Sequence, residues 1–235
     1  MNKIEFFSSV EGVLDTFPIL AAKDCLPKWI NKARADYLQD KQSASIFRCP
    51  GIVDIMTTGY IVTSWHDINI ESNENGIEAW SGSTVLEELL DKPTMQIQQG
   101  DSIAKYLPKR PWSNKDIIKI NTPWHVKSKY KLLMIPIPYN DEFILESSVG
   151  ILDPSISSEI NIQSYVNCTG VVTIPAGTPL CQLIPMTDDN IKLIVREMNR
   201  SDERWIKISK YINHLSTVLN RKLIKKAYNK YIRGL

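Results

Sequence analysis

The spacing of apolar and polar positions changes several times along the chain, and each change marks an element. Residues 4–7 read as a short strand. Phe17-Pro18-Ile19-Leu20 is apolar and extended, because the residue before a proline is pushed out of the helical region. Over 27–37, Trp29, Ile30 and Ala33 share one helical face behind Pro27, which suits a first turn. A polar loop is expected at 36–44, and Cys49-Pro50 opens a compact segment. Residues 60–70 alternate through Ile61, Thr63, Trp65, Asp67 and Asn69, which predicts one long strand. Ser72-Asn73-Glu74-Asn75-Gly76 signals a hairpin returning along 77–80. One or two helical turns are expected at 83–90. Pro108 and Pro111 make 94–112 an irregular connection. Strands are predicted at 117–121 and 129–136, divided by a turn at Pro123-Trp124-His125.

The stretch 149–186 organises the rest. Three apolar runs are cut by turn chemistry at Asp153-Pro154-Ser155, Asn167-Cys168-Thr169-Gly170 and Pro175-Ala176-Gly177-Thr178. Between the first two turns Ile160, Ile162 and Ser164 fall on one face, with Asn161, Gln163 and Tyr165 on the other. Short alternating runs and dense turns predict antiparallel β structure. Beyond 187 the character changes. A helix is predicted over 191–198 behind Asp188, and another from Ser201-Asp202-Glu203, where acids suit a helix N-terminus. Trp205, Ile208, Ile212, Leu215, Leu219 and Leu223 then recur in steps of three and four, the stripe of an amphipathic helix.

Charge sharpens this division. The net charge is only +2, yet from Ile191 onward 12 Lys and Arg face 3 Asp and Glu, against 16 and 23 in the remainder. A basic tail bearing Arg221, Lys222, Lys225, Lys226, Lys230 and Arg233, with Tyr211, Tyr228 and Tyr231 among the cations, is a candidate surface for nucleic acid or for a partner. The competing reading is a solvated helix face whose apolar stripe docks on the β domain or on another subunit. The chain is 43% hydrophobic, enough for one sizeable core, and no apolar run reaches the roughly 20 residues of a membrane helix. Met1-Asn2-Lys3-Ile4-Glu5 carries no apolar signal core, so no secretory signal is expected. Cys25, Cys49, Cys168 and Cys181 are scattered without a CxxC, which fits reduced thiols and no zinc site.

Gly150-Ile151-Leu152-Asp153 with Ser158-Glu159-Ile160, and then Ile174-Pro175-Ala176-Gly177-Thr178-Pro179-Leu180-Cys181-Gln182-Leu183-Ile184, resemble two strand segments of the dUTPase and dCTP-deaminase superfamily. With the strand, bend and strand of 129–148, the likeness covers about a quarter of the chain. It implies a β-clip or distorted-barrel scaffold and places Asp153 where that family activates water. The catalytic set is not there. Ile156 stands where the family stacks an aromatic on the sugar, and Pro136-Ile137-Pro138-Tyr139-Asn140 stands near its P-R-S-G phosphate segment. A Gly-rich, Arg-containing closing motif is also missing. A wider likeness rests on Leu26-Pro27-Lys28-Trp29, Cys49-Pro50, Thr58-Gly59-Tyr60-Ile61, Asp67, Thr122-Pro123-Trp124 and Gly177-Thr178-Pro179. These resemble a family of uncharacterised tailed-phage proteins, which implies a phage origin and carries no assigned activity.

Each candidate site has a structural alternative. Asp153 is either a water-activating carboxylate or the turn former ahead of Pro154, and the second reading is preferred. His66 and Asp67 are adjacent on a predicted strand and point to opposite faces, so they do not share a metal ion. Cys49 with His66, or Cys181 with His125, remain possible nucleophile pairs. Trp65, Trp80, Trp112 and Trp124 serve either as core or as a base-stacking pocket. Trp124, His125, Asp67 and Tyr60 are the candidate ligand contacts, in a cleft near Asp153. No metal site and no cofactor is implied.

The expected architecture is therefore mainly β, of β-clip or dUTPase-like distorted-barrel type over 1–187 with a short N-terminal helix. A basic amphipathic helical extension follows over 188–235, making the whole α+β. The expected function is that of a phage-type accessory protein, in the host cytoplasm or the virion, which binds a nucleotide-like small molecule or a host factor without catalysis. Two alternatives remain open: a virion or assembly component that oligomerises through the C-terminal helix, and a diverged nucleotide hydrolase or deaminase.

Overall fold

The computed structural model describes residues 2–40, 46–100, 103–106, 113–140, 143–214 and 219–233, with the backbone alone at 103–104, 212–214, 219–221 and 233. Trp112 and Leu215 lie outside the described residues, as do the side chains of Ile212, Leu219, Arg221 and Arg233. Strand accounts for 37% and helix for 30%, so the chain is a mixed α+β fold, as expected for the whole.

Three sheets carry it. The largest runs β14 (Lys192–Glu197), β1 (Lys3–Ser8), β7 (Ile117–Ser128), β11 (Glu159–Val166) and β9 (Leu145–Ser147), with β6 (Met95–Gln98) also on β7. The second runs β10 (Gly150–Leu152), β8 (Leu132–Ile135), β13 (Pro179–Pro185), β3 (Tyr60–Thr63) and β2 (Leu20–Ala21). The third runs β12 (Gly170–Ile174), β4 (Ile68–Asn73) and β5 (Gly76–Ser81). All three are open, so the distorted barrel expected from the sequence does not close. The stretch 149–186 explains why. Its four strands β10, β11, β12 and β13 join the second, first, third and second sheets in turn, each antiparallel to its neighbours. Every turn in that stretch hands the chain to another layer, which stitches the sheets together without closing any of them.

Two departures from the predicted strands have local causes. The long strand over 60–70 is two strands, β3 and β4, with a corner between them. There Ser64 exchanges backbone bonds with Thr178 and Gly177 at 2.8 and 2.7 Å, and Asp67 accepts the Ala176 N–H at 2.7 Å. Conversely, β7 runs unbroken through the turn predicted at Pro123-Trp124-His125. The β7–β11 register shifts between Asn161, opposite Asn121, and Glu159, opposite His125. Pro123 falls in that bulge, where a missing N–H breaks no ladder bond. Thr122 takes up the slack: its Oγ1 donates to the Ile160 carbonyl at 2.7 Å and accepts from the Trp124 N–H at 3.2 Å.

The helices are α1 (Val13–Thr16), α2 (Lys28–Gln39), α3 (Pro50–Thr57), α4 (Val85–Leu90), α5 (Arg200–His214) and α6 (Leu219–Arg233). The helix expected over 191–198 is instead β14, parallel to β1 from Lys3 opposite Lys192 to Ser8 opposite Glu197. Leu193-Ile194-Val195 is apolar and includes two β-branched residues, and β1 offers it an open edge. The region beyond 187 thus begins by completing the main sheet. The single long stripe 205–223 is also corrected. Trp205 and Tyr228 have ring centroids 5.0 Å apart, whereas 23 residues of unbroken helix would separate them by about 34 Å. α5 and α6 fold back on each other, and the reversal resets the helical phase. Ile224 and Tyr228 are buried while Leu223 is exposed.

The two faces of the main sheet differ. Ile4 and Phe6 of β1, with Trp124 and Val126 of β7, point into a core shared with the second sheet. Lys3, Glu5 and Phe7 alternate with them, alongside His125 and Lys127 of β7 and Lys192, Ile194 and Arg196 of β14. This second face, unusually charged for a covered surface, lies under α5 and α6.

Candidate functional site

The residues singled out from the sequence do not form one cleft. Trp124 is fully buried and Tyr60 nearly so, the latter edge-on to Phe6 at 5.3 Å in the core. His125 points to the opposite face of β7, stacked on Phe7 at 5.3 Å with Nδ1 3.2 Å from Ser158 Oγ. Asp67 is exposed at the β3–β4 corner and is occupied by the Ala176 N–H. Trp65 is core, and Trp80 is 43% exposed on β5.

Asp153 follows β10 and behaves as the turn former. Its Oδ1 accepts the Ser155 N–H at 3.0 Å and the Ser155 hydroxyl at 2.5 Å. Its Oδ2 lies 3.7 Å from Lys131 Nζ and 4.0 Å from Lys225 Nζ of α6. Oδ1 is committed to the turn, while Oδ2 faces the two lysines at ion-pair and not hydrogen-bond distance. The Cys–His pairs do not form: His66 Nδ1 bonds the Asp67 carbonyl at 2.7 Å, its Nε2 has no partner, and Cys181 is fully buried with its thiol pKa pushed up by burial. Gln182 is structural, donating to the Ile55 and Thr58 carbonyls at the end of α3. Among the described residues no three His, Cys, Asp or Glu side chains gather as metal ligands. No helix among them is long and apolar enough to cross a membrane.

Beside Asp153 there is a cavity. It measures about 170 Å³ and lies between β10 and β11, lined by Met134, Ser148, Gly150, Leu152, Asn161 and Gln163 among others. Ser148 Oγ and Asn161 Oδ1 have no hydrogen-bond partner. Such buried orphans are rare and costly in a folded protein. The mouth is apolar, with Val149 67% and Ile151 59% exposed. The lining thus combines apolar surface with Ser148 and Asn161, whose Oγ and Oδ1 are buried without a hydrogen-bond partner.

The second concentration of chemistry is the charged layer beneath α5 and α6. Arg196 donates to Asp202 Oδ2 and Oδ1 at 2.5 and 3.1 Å and to Glu5 Oε2 at 3.0 Å. Tyr231 also donates to Asp202. Asn199 Oδ1 accepts the Ser201 and Asp202 N–H groups while Asp202 accepts the Asn199 N–H, so this carboxylate closes the α5 cap as well. Burial alone would raise the Glu5 and Asp202 pKa values; Lys3 with Arg196 in the first case, and Arg196 with Tyr231 in the second, outweigh it and hold both below the usual range. Glu159 is likewise held low by Lys92 and His125 against burial, and His125 is pushed down to about 4 by burial. Tyr228 anchors α6, donating to the Ser128 carbonyl at 2.7 Å and accepting the Ser128 N–H at 3.0 Å. A further cavity of about 350 Å³ opens between the two helices, lined by Trp205, Ile208 and Tyr231 with Arg204 and Lys230.

Of the basic tail, Lys222, Lys225, Lys226 and Lys230 are exposed, but Tyr228 and Tyr231 are consumed by packing. Only Tyr211, 66% exposed, is available as a stacking face among the three. Sequence reasoning missed Ser148, Asn161 and Gln163, although the outward set Asn161, Gln163 on β11 was a readable signal. It also missed Lys127 and Arg196, whose importance depends on what covers them. No protein-family model, no curated protein and no solved structure matches this chain.

Proposed function

We propose that this chain is a non-catalytic binding protein for a nucleotide-like small molecule, of the phage accessory type, on a β-clip-like arrangement of strands. The observation that carries the reading is the cavity at β10, with its orphaned Ser148 Oγ and Asn161 Oδ1. At about 170 Å³ it is smaller than the roughly 300 Å³ or more of pockets that enclose whole drug-sized ligands. It suits one planar ring carrying a donor and an acceptor. Leu152 lines it, and the next residue, Asp153, brings Lys131 and Lys225 together where a ligand's phosphate would exchange for the carboxylate. The engagement of Asp153 Oδ1 in its own turn favours binding over hydrolysis.

The test is calorimetric titration with the common nucleosides and their 5′-monophosphates, repeated with Asn161→Leu and Gly150→Val. An added Cβ at Gly150 meets nothing within 4 Å, so that variant adds bulk at a lining position without a clash. The expected result is binding of at least one base class, weakened about tenfold or more by either change, as loss of a buried hydrogen bond or of room implies. Absence of binding by every nucleoside and nucleotide, or binding indifferent to both changes, overturns the reading. Turnover of a bound nucleotide that Asp153→Asn abolishes would establish the enzymatic alternative instead.

A further inference from the structure

A separate cleft of about 430 Å³ lies where β1, β7 and β14 meet the end of α6. Lys3, Lys127, Lys129 and Lys192 line it against a single acid, Glu5, with Ile194 and Ile232 as apolar wall. Glu5 offsets only part of this charge: it stands opposite Lys127 across the β1–β7 pair, but both its oxygens are already taken. Arg196 already takes its Oε2 at 3.0 and 2.9 Å from two guanidinium nitrogens, and Lys3 takes Oε1 at 2.6 Å. Lys129 is held by the neutral Asn2 side chain at 2.8 Å. Lys3 and Lys192 are direct partners across the parallel β1–β14 pair, a like-charge juxtaposition that costs stability in any sheet.

The decisive residue is Lys127. It is 5% exposed, and its Nζ has no hydrogen-bond partner. The ammonium rests 4.0 Å over the Tyr231 ring, which offers attraction but no acceptor. A buried ammonium with three unused donors is among the more expensive features a fold can carry. A cation–π contact offsets only part of that cost.

We propose that this cleft is a second binding site, distinct from the β10 cavity, for a small phosphate-class polyanion such as a di- or triphosphate group, held between Lys127, Lys129 and Lys192. The anion supplies the acceptors that Lys127 lacks and relieves the repulsion between Lys3 and Lys192. Ile232 places the last turn of α6 on the site, so occupancy also tightens the helix against the sheet. A nucleic-acid backbone fits less well. It calls for an exposed cationic stripe, whereas Lys127 is buried and the exposed α6 cations Lys222, Lys226 and Lys230 are not in the lining.

The probe is inorganic tripolyphosphate, titrated calorimetrically into the full chain at low and at high salt. Lys129→Gln and Lys192→Gln alter exposed side chains and leave the fold intact; each is expected to weaken binding about tenfold, the usual worth of one charge-assisted contact. Lys127→Met is expected to weaken binding at least as much while raising the melting temperature of the ligand-free protein, since it removes an unpaired buried charge. A purely structural Lys127 would give the opposite sign in the melt. The proposal is overturned if tripolyphosphate does not bind at low salt or if none of the three changes affects binding. It is equally overturned if a single-stranded oligonucleotide binds where tripolyphosphate does not. None of these outcomes bears on the β10 cavity, which is read separately from uncharged nucleosides and from the Asn161→Leu and Gly150→Val variants.

Discussion

Replacing Tyr228 by Phe tests how the C-terminal helices are held. β11 makes its last pairing with β7 at His125, and Val126 N–H still reaches the Ser158 carbonyl at 2.8 Å. Two residues on, no strand among the described residues lies beside the same edge of β7, and the Tyr228 hydroxyl takes its place. It accepts from Ser128 N–H at 3.0 Å and donates to Ser128 C=O at 2.7 Å. Ser128 is 4% exposed and Tyr228 2%. Phenylalanine keeps the ring packed on Trp205 and removes only the oxygen, leaving two buried backbone groups unpaired. Each such group costs about 1–3 kcal/mol, so a loss of about 2–4 kcal/mol is expected after some relaxation. For a chain of this size that corresponds to a fall in melting temperature of about 5–15 °C. Urea unfolding followed by far-ultraviolet circular dichroism measures it, with an unchanged m-value as the sign that the folded state is otherwise intact. Tyr211→Phe, on an exposed position of α5, serves as control and should change stability by less than about 0.5 kcal/mol. A Tyr228→Phe loss no larger than that of the control would refute the reasoning, because it would mean water already reaches Ser128 and α6 is not anchored there.

Two further outcomes follow from buried geometry. His125 has a folded-state pKa of about 4 against an ordinary 6.5, so as pH falls the unfolded chain takes up the proton first. Stability is then lost progressively between pH 6.5 and 4, by at most on the order of 3 kcal/mol. Urea midpoints at several pH values should show this slope flattened in His125→Gln, and an identical slope would remove His125 as its source. Gly59 has φ +86°, and a Cβ there would lie 2.2 Å from the Leu183 carbonyl oxygen, whereas Gly12, with φ +81°, has nothing within 4 Å. Gly12→Ala should therefore cost only the left-handed backbone penalty of about 1–2 kcal/mol. Gly59→Ala should cost clearly more, or prevent folding. Equal melting temperatures for the two variants would mean that Gly59 does not abut β13 as described.

Much of the secondary structure was legible because it is local. The strands at 3–8, 159–166, 170–174 and 179–185, the hairpin at Asn73–Gly76 and the helix after Pro27 all follow from alternation, turn residues and proline placement. Asp153 as a turn former was legible for the same reason: its partner, Ser155, is two residues away. The misreadings share a different cause. Pro123 looks like a strand breaker until one knows that β11 shifts register opposite it. Residues 191–198 have both helical and strand character, and the open edge of β1 decides between them. The stripe from Trp205 to Leu223 suits one helix, and only the approach of Trp205 to Tyr228 reveals the reversal.

By itself, then, the sequence determined most of the turns, the alternating strands of 159–185 and the concentration of basic charge beyond Ile191. Tertiary structure alone decided that the strands of 149–186 serve three different sheets. It also decided that Trp124 and Tyr60 belong to the core and that Ser148 and Asn161 share a cavity. The physical reason is range. Alternation and turn chemistry act over a few residues, whereas burial and the surroundings of Lys127 and Ser128 are set by segments about a hundred residues away, as with Ser128 and Tyr228.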